Sequence, residues 1–391
     1  MSQSPSVSAA DRGVPLLDIG RQMAPLQDEI QAAVARVFQT GSFVLGPDVE
    51  QLEAAMADYC GTRHAIGCAS GSDALLLALM AADIGPGDEV ILPSYTFFAT
   101  ASAVARLGAR IVFVDIDPDS YNLDPADVER RITPATKAII PVHLYGQCVE
   151  MEPMQQMAAK HRLLVVEDAA QAIGAEYQGR RAGSLGDVGC FSFYPTKNLG
   201  GAGDSGMLTT NDDQLADRLR LLRVHGMRPR YYHPAIGINS RLDSLQAAVL
   251  NVKFPHLQRW TELRQKNARR YAALCTAAGL DSWLDLPQTL PQRRHVWNQF
   301  AVRVKDCQRD ALRDYLASCK IGTEIYYPVP LHLQECYRGL EITTGSLPVT
   351  EQAAAETLAL PIFPELTPDE QQLVVDRIAE FRNGARCKLA A

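Results

Sequence analysis

The chain has 391 residues, 47% hydrophobic and 21% charged, an ordinary globular balance with room for one large domain and a smaller one. Its net charge of -7 offers no attraction to nucleic acid or to an anionic membrane, and no apolar run reaches the roughly 18 residues of a membrane span. The nine cysteines show no C-x-x-C spacing, so neither a disulfide framework nor a zinc site is expected, and free thiols in a reducing cytoplasm are.

Residues 1–13, MSQSPSVSAADRG, are polar and small. They lack the apolar core of a signal peptide and are expected to form a disordered tail. Two helices are expected around Met23–Gln39 and Asp48–Tyr59. From about Ala65 to Leu208, the runs EVILP, RIVFVDI, KAIIPV, LLVVED, VGCFSF and GMLTT read as strands buried on both faces. Amphipathic segments such as DALLLALMAAD, TASAVARLG, PADVERRI and MQQMAAKH lie between them. This alternation predicts an α/β fold with a mainly parallel sheet between helices. A long helix follows from about Leu242 to Ala278, with a break near Phe254 because Pro255 costs a helix interior about 3 kcal/mol. The segments NQFAVRV, RDALRDYLASC and PDEQQLVVDRIAEFR then form a smaller C-terminal α/β domain. The expected domains are 14–278 and 279–391.

Ligands of such a sheet bind beyond the C-terminal ends of its strands, which directs attention to SGS, PSYTFF, HLYGQ, EDAAQ and SFYPTKN. Ser70-Gly71-Ser72 opens a helix, and a helix N-terminus suits a phosphate, although a serine there is also an ordinary N-cap. Asp168 and Gln171 follow a buried strand. A carboxylate there needs a partner: a protonated pyridine nitrogen serves, as does a helix terminus, with Glu167 then a solvated neighbour. Gln171 suits the ring's phenolic oxygen. Lys197 sits in a glycine-rich segment between two strands, and a desolvated amine forms imines. Ser192, five residues earlier, is a second phosphate candidate. Phe97 suits either stacking on an aromatic cofactor or core packing.

The segments GSFVLGPDVEQLE, ASGSDALLLAL, GDEVILPSYTFFATA, PVHLYGQ, VVEDAAQAIGA, GCFSFYPTKNLG and IGINSRLDSLQAAVL, in that order, resemble the fold-type I pyridoxal-phosphate enzymes. More narrowly they resemble the DegT-type nucleotide-sugar aminotransferases, from about Gly41 into the C-terminal domain. The resemblance implies pyridoxal 5'-phosphate bonded to Lys197, with Lys197 also the proton shuttle. It implies Asp168 on the pyridinium nitrogen, Gln171 on the ring oxygen, and Gly71, Ser72 and Ser192 on the phosphate. It further implies a homodimer in which Asn239 reaches the neighbouring subunit's cofactor. Ser72 stands where threonine is common and Ser205 where another glycine is. The implied reaction is ping-pong transamination from an amino acid, L-glutamate, to the keto group of a nucleotide-linked deoxysugar. Two alternatives of the same fold are a sugar dehydratase, whose relatives carry histidine at the lysine position, and a regulatory protein without turnover.

Arg218, Arg220 and Arg223 read as the polar side of a surface helix. Arg228, Arg230, Tyr231 and His233 fall in the loop after Gly226, where arginine forks suit a diphosphate. Tyr326, Tyr327 and His332 are candidate sugar contacts, with domain packing the alternative, and His143 sits at a strand end. No metal site is expected.

Overall fold

The computed structural model describes residues 13–384, so all of the expected tail except Gly13 lies outside the described residues. Seven strands make the main sheet: β1 His64–Cys68, β2 Glu89–Pro93, β3 Arg110–Val114, β4 Thr136–Ile139, β5 Leu164–Asp168, β8 Val188–Ser192 and β9 Gly206–Thr210. The short strands β6 Glu176–Tyr177 and β7 Arg180–Arg181 form a separate small sheet with β11 Arg293–Arg294. The main sheet runs β1-β9-β8-β5-β4-β2-β3. Its pairings are parallel except around β9, which is antiparallel to both β1 and β8.

Both faces of this sheet are covered, which explains the unbroken apolar strands. Ile91, Ile139 and Val165 enter one core, whereas their sequence neighbours Val90, Ala138 and Val166 enter the core on the other face, as the two-residue period of a strand requires. Burying one valine or isoleucine side chain contributes about 1.5–3 kcal/mol, so a register slip in β5 exchanges two such sets at once. The expected strands all form. The strand β1, HAIGC, was not expected; it is short, carries a glycine, and is recruited by its ladder with β9.

The early helices are Ile19–Met23 and Gln27–Thr40, separated by a 3-10 turn that contains Pro25, and Pro47–Cys60. The long C-terminal helix divides at Pro255, as expected: Ser244–Lys253, a 3-10 turn Phe254–His256, then Leu257–Ala277. Around its second half lies another core, in which Tyr271 and Cys275 meet Phe300, Leu358 and Val374. The antiparallel sheet there joins β10 Leu284–Asp285, β12 Phe300–Val304 and β13 Thr357–Leu360. Val14 also belongs to this core, because its N–H donates to Lys320 O at 3.0 Å and its carbonyl accepts from Gly322. The closing helix Pro368–Arg382 begins with a reciprocal capping box between Thr367 and Glu370, a device that contributes about 1 kcal/mol. No helix among the described residues is long and apolar enough to cross a membrane. Among the described residues seven cysteines are free and Cys319 is disulfide-bonded, which corrects the expectation of free thiols throughout.

Candidate active site

Beyond the C-terminal ends of β2, β5 and β8 lies a cavity of about 510 Å³, within the size range of cofactor and ligand sites. It gathers Gly71, Ser72, Phe97, Asp168, Gln171 and Ser192 around Lys197. Tyr326, Tyr327 and Gln299 reach it from the C-terminal part of the chain. Residues drawn from 70 to 327 thus meet in one place, and the sheet's parallel order brings them there.

One end of the cavity is a helix start. Ser70 caps the helix Gly71–Ala81 by accepting from the Asp73 N–H at 3.1 Å, so the serine reading as an N-cap is right for Ser70. The N–H groups of Gly71 and Ser72 belong to the first turn, which has no intrahelical acceptor for them. Ser192 stands directly against this start: a Cβ on Gly71 would lie 2.7 Å from Ser192 Cβ. Glycine is therefore needed for close approach, and the approach sets a hydroxyl beside two free N–H groups at the positive end of a helix. That donor set fits a phosphate.

Asp168 ends β5 and is 5% exposed. Its Oδ2 accepts from Thr100 Oγ1 at 2.8 Å and its Oδ1 from the Ala170 N–H at 3.2 Å. Burial pushes its carboxyl above the usual range, opposed first by the Thr100 hydrogen bond and also by Lys197 and His143. Lys197 answers in the other direction: burial pulls its amine down to about 8, with Asp168 the charge that opposes. An amine in that range is neutral for part of the time near neutral pH, as a nucleophile must be. The chain thus provides a phosphate cradle, a buried acid and an available amine in one cavity, and pyridoxal phosphate fits these three together.

Gln171 is held at both ends. Its Oε1 accepts from the Tyr145 N–H at 2.7 Å and its Nε2 donates to Tyr327 Oη at 2.9 Å. Tyr327 belongs to a buried group with Tyr95, Tyr121 and Tyr145, its ring stacked on Tyr145 at 6.3 Å. Phe97 is 61% exposed at the cavity wall, so core packing does not account for it.

Glu167 is fully buried rather than solvated. It accepts from the N–H groups of Gly183, Leu185 and Gly186 and pairs with His143 Nε2 at 2.9 Å. His143 Nδ1 accepts from the Val149 N–H at 3.1 Å, so its proton sits on Nε2 and faces Glu167. This pair braces the strand end that carries Asp168. Sequence reasoning missed it because β5 is buried on both faces and shows no polar alternation. Thr100 was missed as well; the only signal was a second threonine four residues after Thr96 in TFFAT.

The remaining candidates lie elsewhere on the chain. His332 is buried away from the cavity, its Nδ1 2.7 Å from Ser94 Oγ and its Nε2 3.3 Å from Glu351. Arg228 pairs with Asp217 at 2.7 Å on the surface, Arg230 covers the Tyr231 ring, and His233 Nδ1 meets His225 O at 3.1 Å. Asn239 is exposed and lies outside the cavity of its own chain. Arg218 is paired to Asp83 on the surface, but Arg223 is buried and donates to Gly67 O at 2.7 Å and to Glu53, so the surface reading fails for that residue.

A doubly wound sheet that ends in a buried acid, a phosphate-ready helix start and an amine of lowered basicity is the arrangement of a pyridoxal-phosphate enzyme. Comparison with known proteins makes this specific. Residues 25–379 match the model of the DegT/DnrJ/EryC1/StrS aminotransferase family, and the chain belongs to that family. It is 51% identical over 368 residues to a "Pleiotropic regulatory protein" of Geobacillus stearothermophilus, covering 94% of this chain and 98% of that one. It is 47% identical to a dTDP-3-amino-3,4,6-trideoxy-alpha-D-glucose transaminase of Streptomyces venezuelae, with 94% and 96% covered. The crystal structure of S. venezuelae DesV in complex with a ketimine intermediate superimposes with a TM-score of 0.91 at 46% identity, covering 94% of this chain and 98% of that one. The chain is an aminotransferase, and pyridoxal phosphate is its cofactor.

Proposed function

We propose that this aminotransferase moves an amino group from L-glutamate to the keto group of a nucleotide-linked deoxysugar, the two substrates taking turns at the one cavity. The observation that carries the reading is Lys197 in one cavity with Asp168, Gln171 and Ser192, its amine lowered to about 8 by burial. The name of the S. venezuelae relative supports the sugar as acceptor and C3 as the carbon that receives the amine.

The bound cofactor supplies an electron sink for the carbon that exchanges its proton. Gly71 and Ser72 N–H groups and the Ser192 hydroxyl bind the phosphate. Asp168 holds the ring nitrogen's proton in place, Gln171 orients the ring through its oxygen, and Phe97 covers a face. Lys197 Nζ would anchor the cofactor and, as a free amine, would hold and return the proton exchanged at the substrate carbon. Tyr326 and Tyr327 border the space left for the sugar. For Arg228 and Arg230 a diphosphate is the ligand we propose, with exchange of the Asp217 pairing as the cost.

A homodimer completes the site in this reading. Its support is the exposure of the large apolar side chains Tyr231, Tyr232 and Ile236 and of Asn239, which lies outside the cavity of its own chain. We place the enzyme in the cytoplasm, on the strength of seven free cysteines against one disulfide-bonded one, Cys319, among the described residues. A regulatory role is favoured by one observation, the name of the 51% relative; the intact Lys197, Asp168 and Gln171 set favours turnover.

The test is an absorption spectrum of the purified protein with pyridoxal phosphate. L-Glutamate should move the visible band to shorter wavelength, and a 3-keto nucleotide sugar should restore it with an aminated sugar as product. A band indifferent to every amino acid, with no amine transfer across a keto-sugar panel, would reinstate the regulatory reading.

A further inference from the structure

The chemistry described so far leaves the buried hydroxyls behind Asp168 without a role. Thr100 is fully buried in the first turn of the helix Phe98–Arg106. A threonine inside a helix ordinarily returns its proton to a carbonyl three or four residues back. Thr100 does not: its hydroxyl reaches the end of β5 and donates to Asp168 Oδ2 at 2.8 Å, a partner 68 residues away. A hydroxyl has one proton, so the Thr96 hydroxyl, 3.2 Å from Thr100 Oγ1, is the donor of that second contact. The order is therefore Thr96 to Thr100 to Asp168, a chain in which each donor polarises the next.

Each oxygen of Asp168 has one donor, Thr100 on Oδ2 and the Ala170 N–H on Oδ1. The two donors fix the plane of the carboxylate and leave it further lone pairs. We propose that Thr100, supported by Thr96, is a positioning residue that holds Asp168 ionised and turned toward the cofactor's ring nitrogen, and thereby sets how firmly that nitrogen keeps its proton. The inference rests on the cofactor reading above and deepens it. The other groups acting on Asp168 are Lys197 and His143, with the Cys190 thiol and the Tyr327 hydroxyl also within its electrostatic reach. Among the hydrogen bonds to Asp168, that from Thr100 opposes the burial effect most strongly. Replacing the Thr100 hydroxyl by a methyl group leaves the carboxyl with burial less opposed, so its affinity for a proton rises.

The test compares Thr100→Val, which keeps shape and removes the proton, with Thr100→Ser, which keeps the proton. Both are purified with pyridoxal phosphate, and the visible cofactor band is titrated with pH alongside cofactor release on dialysis. For T100V the midpoint of the band should rise by about half a unit or more, and cofactor release should increase several-fold, because a less ionised Asp168 pairs less well with the ring nitrogen. T100S should match the parent chain in both. Thr96→Val should shift the midpoint in the same direction by less. If T100V does not fold, Thr100→Ala carries the same comparison. Parent-like titration and release in the hydroxyl-free variant overturn the proposal, as does a T100S shift equal to that of T100V, which would make the effect one of packing. A parent chain with no cofactor band would instead defeat the cofactor reading, and the two failures are told apart by the parent spectrum alone.

Discussion

Replacing Gly71 by alanine separates the fold of the phosphate cradle from its chemistry. Gly71 opens the helix Gly71–Ala81 and is absent from the glycines of positive φ, so the backbone accepts alanine without strain. Alanine in a helix interior is favoured over glycine by about 0.8–1.0 kcal/mol, and somewhat less is gained at a first position. Against this, the new Cβ would lie 2.7 Å from Ser192 Cβ, 3.2 Å from its Cα and 3.3 Å from its Oγ. Forcing a methyl into such a contact costs about 1–3 kcal/mol. The gain offsets only part of the cost, so the apo chain should lose up to about 2 kcal/mol. The relief must come from Ser192 moving away, and that movement withdraws a hydroxyl from the phosphate. One hydrogen bond to a charged group is worth about 1.5–3 kcal/mol, so cofactor affinity should fall about 10- to 150-fold. Denaturant unfolding of the apo chain gives the first quantity, and equilibrium titration with pyridoxal phosphate gives the second. Gly71→Ala combined with Ser192→Gly should recover stability, because the clashing Cβ is gone, and should leave affinity low. Wild-type affinity in G71A would refute the cradle as the phosphate site.

Three further outcomes follow from the same geometry. The Lys197 amine is lowered from 10.5 to about 8 in the folded chain, so below pH 8 the unfolded chain holds the proton more readily and Lys197 opposes folding in full. The penalty fades as pH rises from about 8 to 10.5, so Lys197→Met should stabilise the apo chain at pH 7 by on the order of 2 kcal/mol and by little at pH 10.5, while abolishing turnover; equal stability differences at both pH values would contradict it. Glu167→Ala strands the N–H groups of Gly183, Leu185 and Gly186 and the His143 ring and should cost on the order of 4 kcal/mol in denaturant unfolding, whereas a loss under 1 kcal/mol would mean that the brace is idle. Asn239→Ala should leave chain stability within about 0.5 kcal/mol, because the residue is exposed in its own chain, yet weaken cofactor retention several-fold; unchanged retention in a protein that sediments as a dimer would remove Asn239 from the site.

What the sequence disclosed and what it withheld divide along the range of the interactions. The buried strands, the helix break at Pro255, the strand-end positions of Asp168 and Ser192 and the loop position of Lys197 follow from patterns within about ten residues, and short-range patterns are what a sequence displays. The parallel topology then does the gathering, since residues at the same ends of neighbouring strands must meet. The misread residues are those whose partners come from afar. Arg223 belongs by periodicity to a surface helix, but its guanidinium runs under β1 to Gly67 O and Glu53. His332 has the setting of a loop ligand and is instead fastened to Ser94 across 238 positions. Glu167 and Asp168 are adjacent acids in a strand covered on both faces, so burial alone cannot assign their tasks. Their donors can. Glu167 meets three backbone N–H groups and a histidine and has its capacity spent on the fold, whereas Asp168 meets one hydroxyl and one N–H and keeps lone pairs for the cavity. An acid whose acceptors are filled by the chain is structural, and one left part-filled beside an amine is equipped for a ligand; that difference, invisible in the dipeptide, is why we propose Asp168 rather than Glu167 as the cofactor's partner.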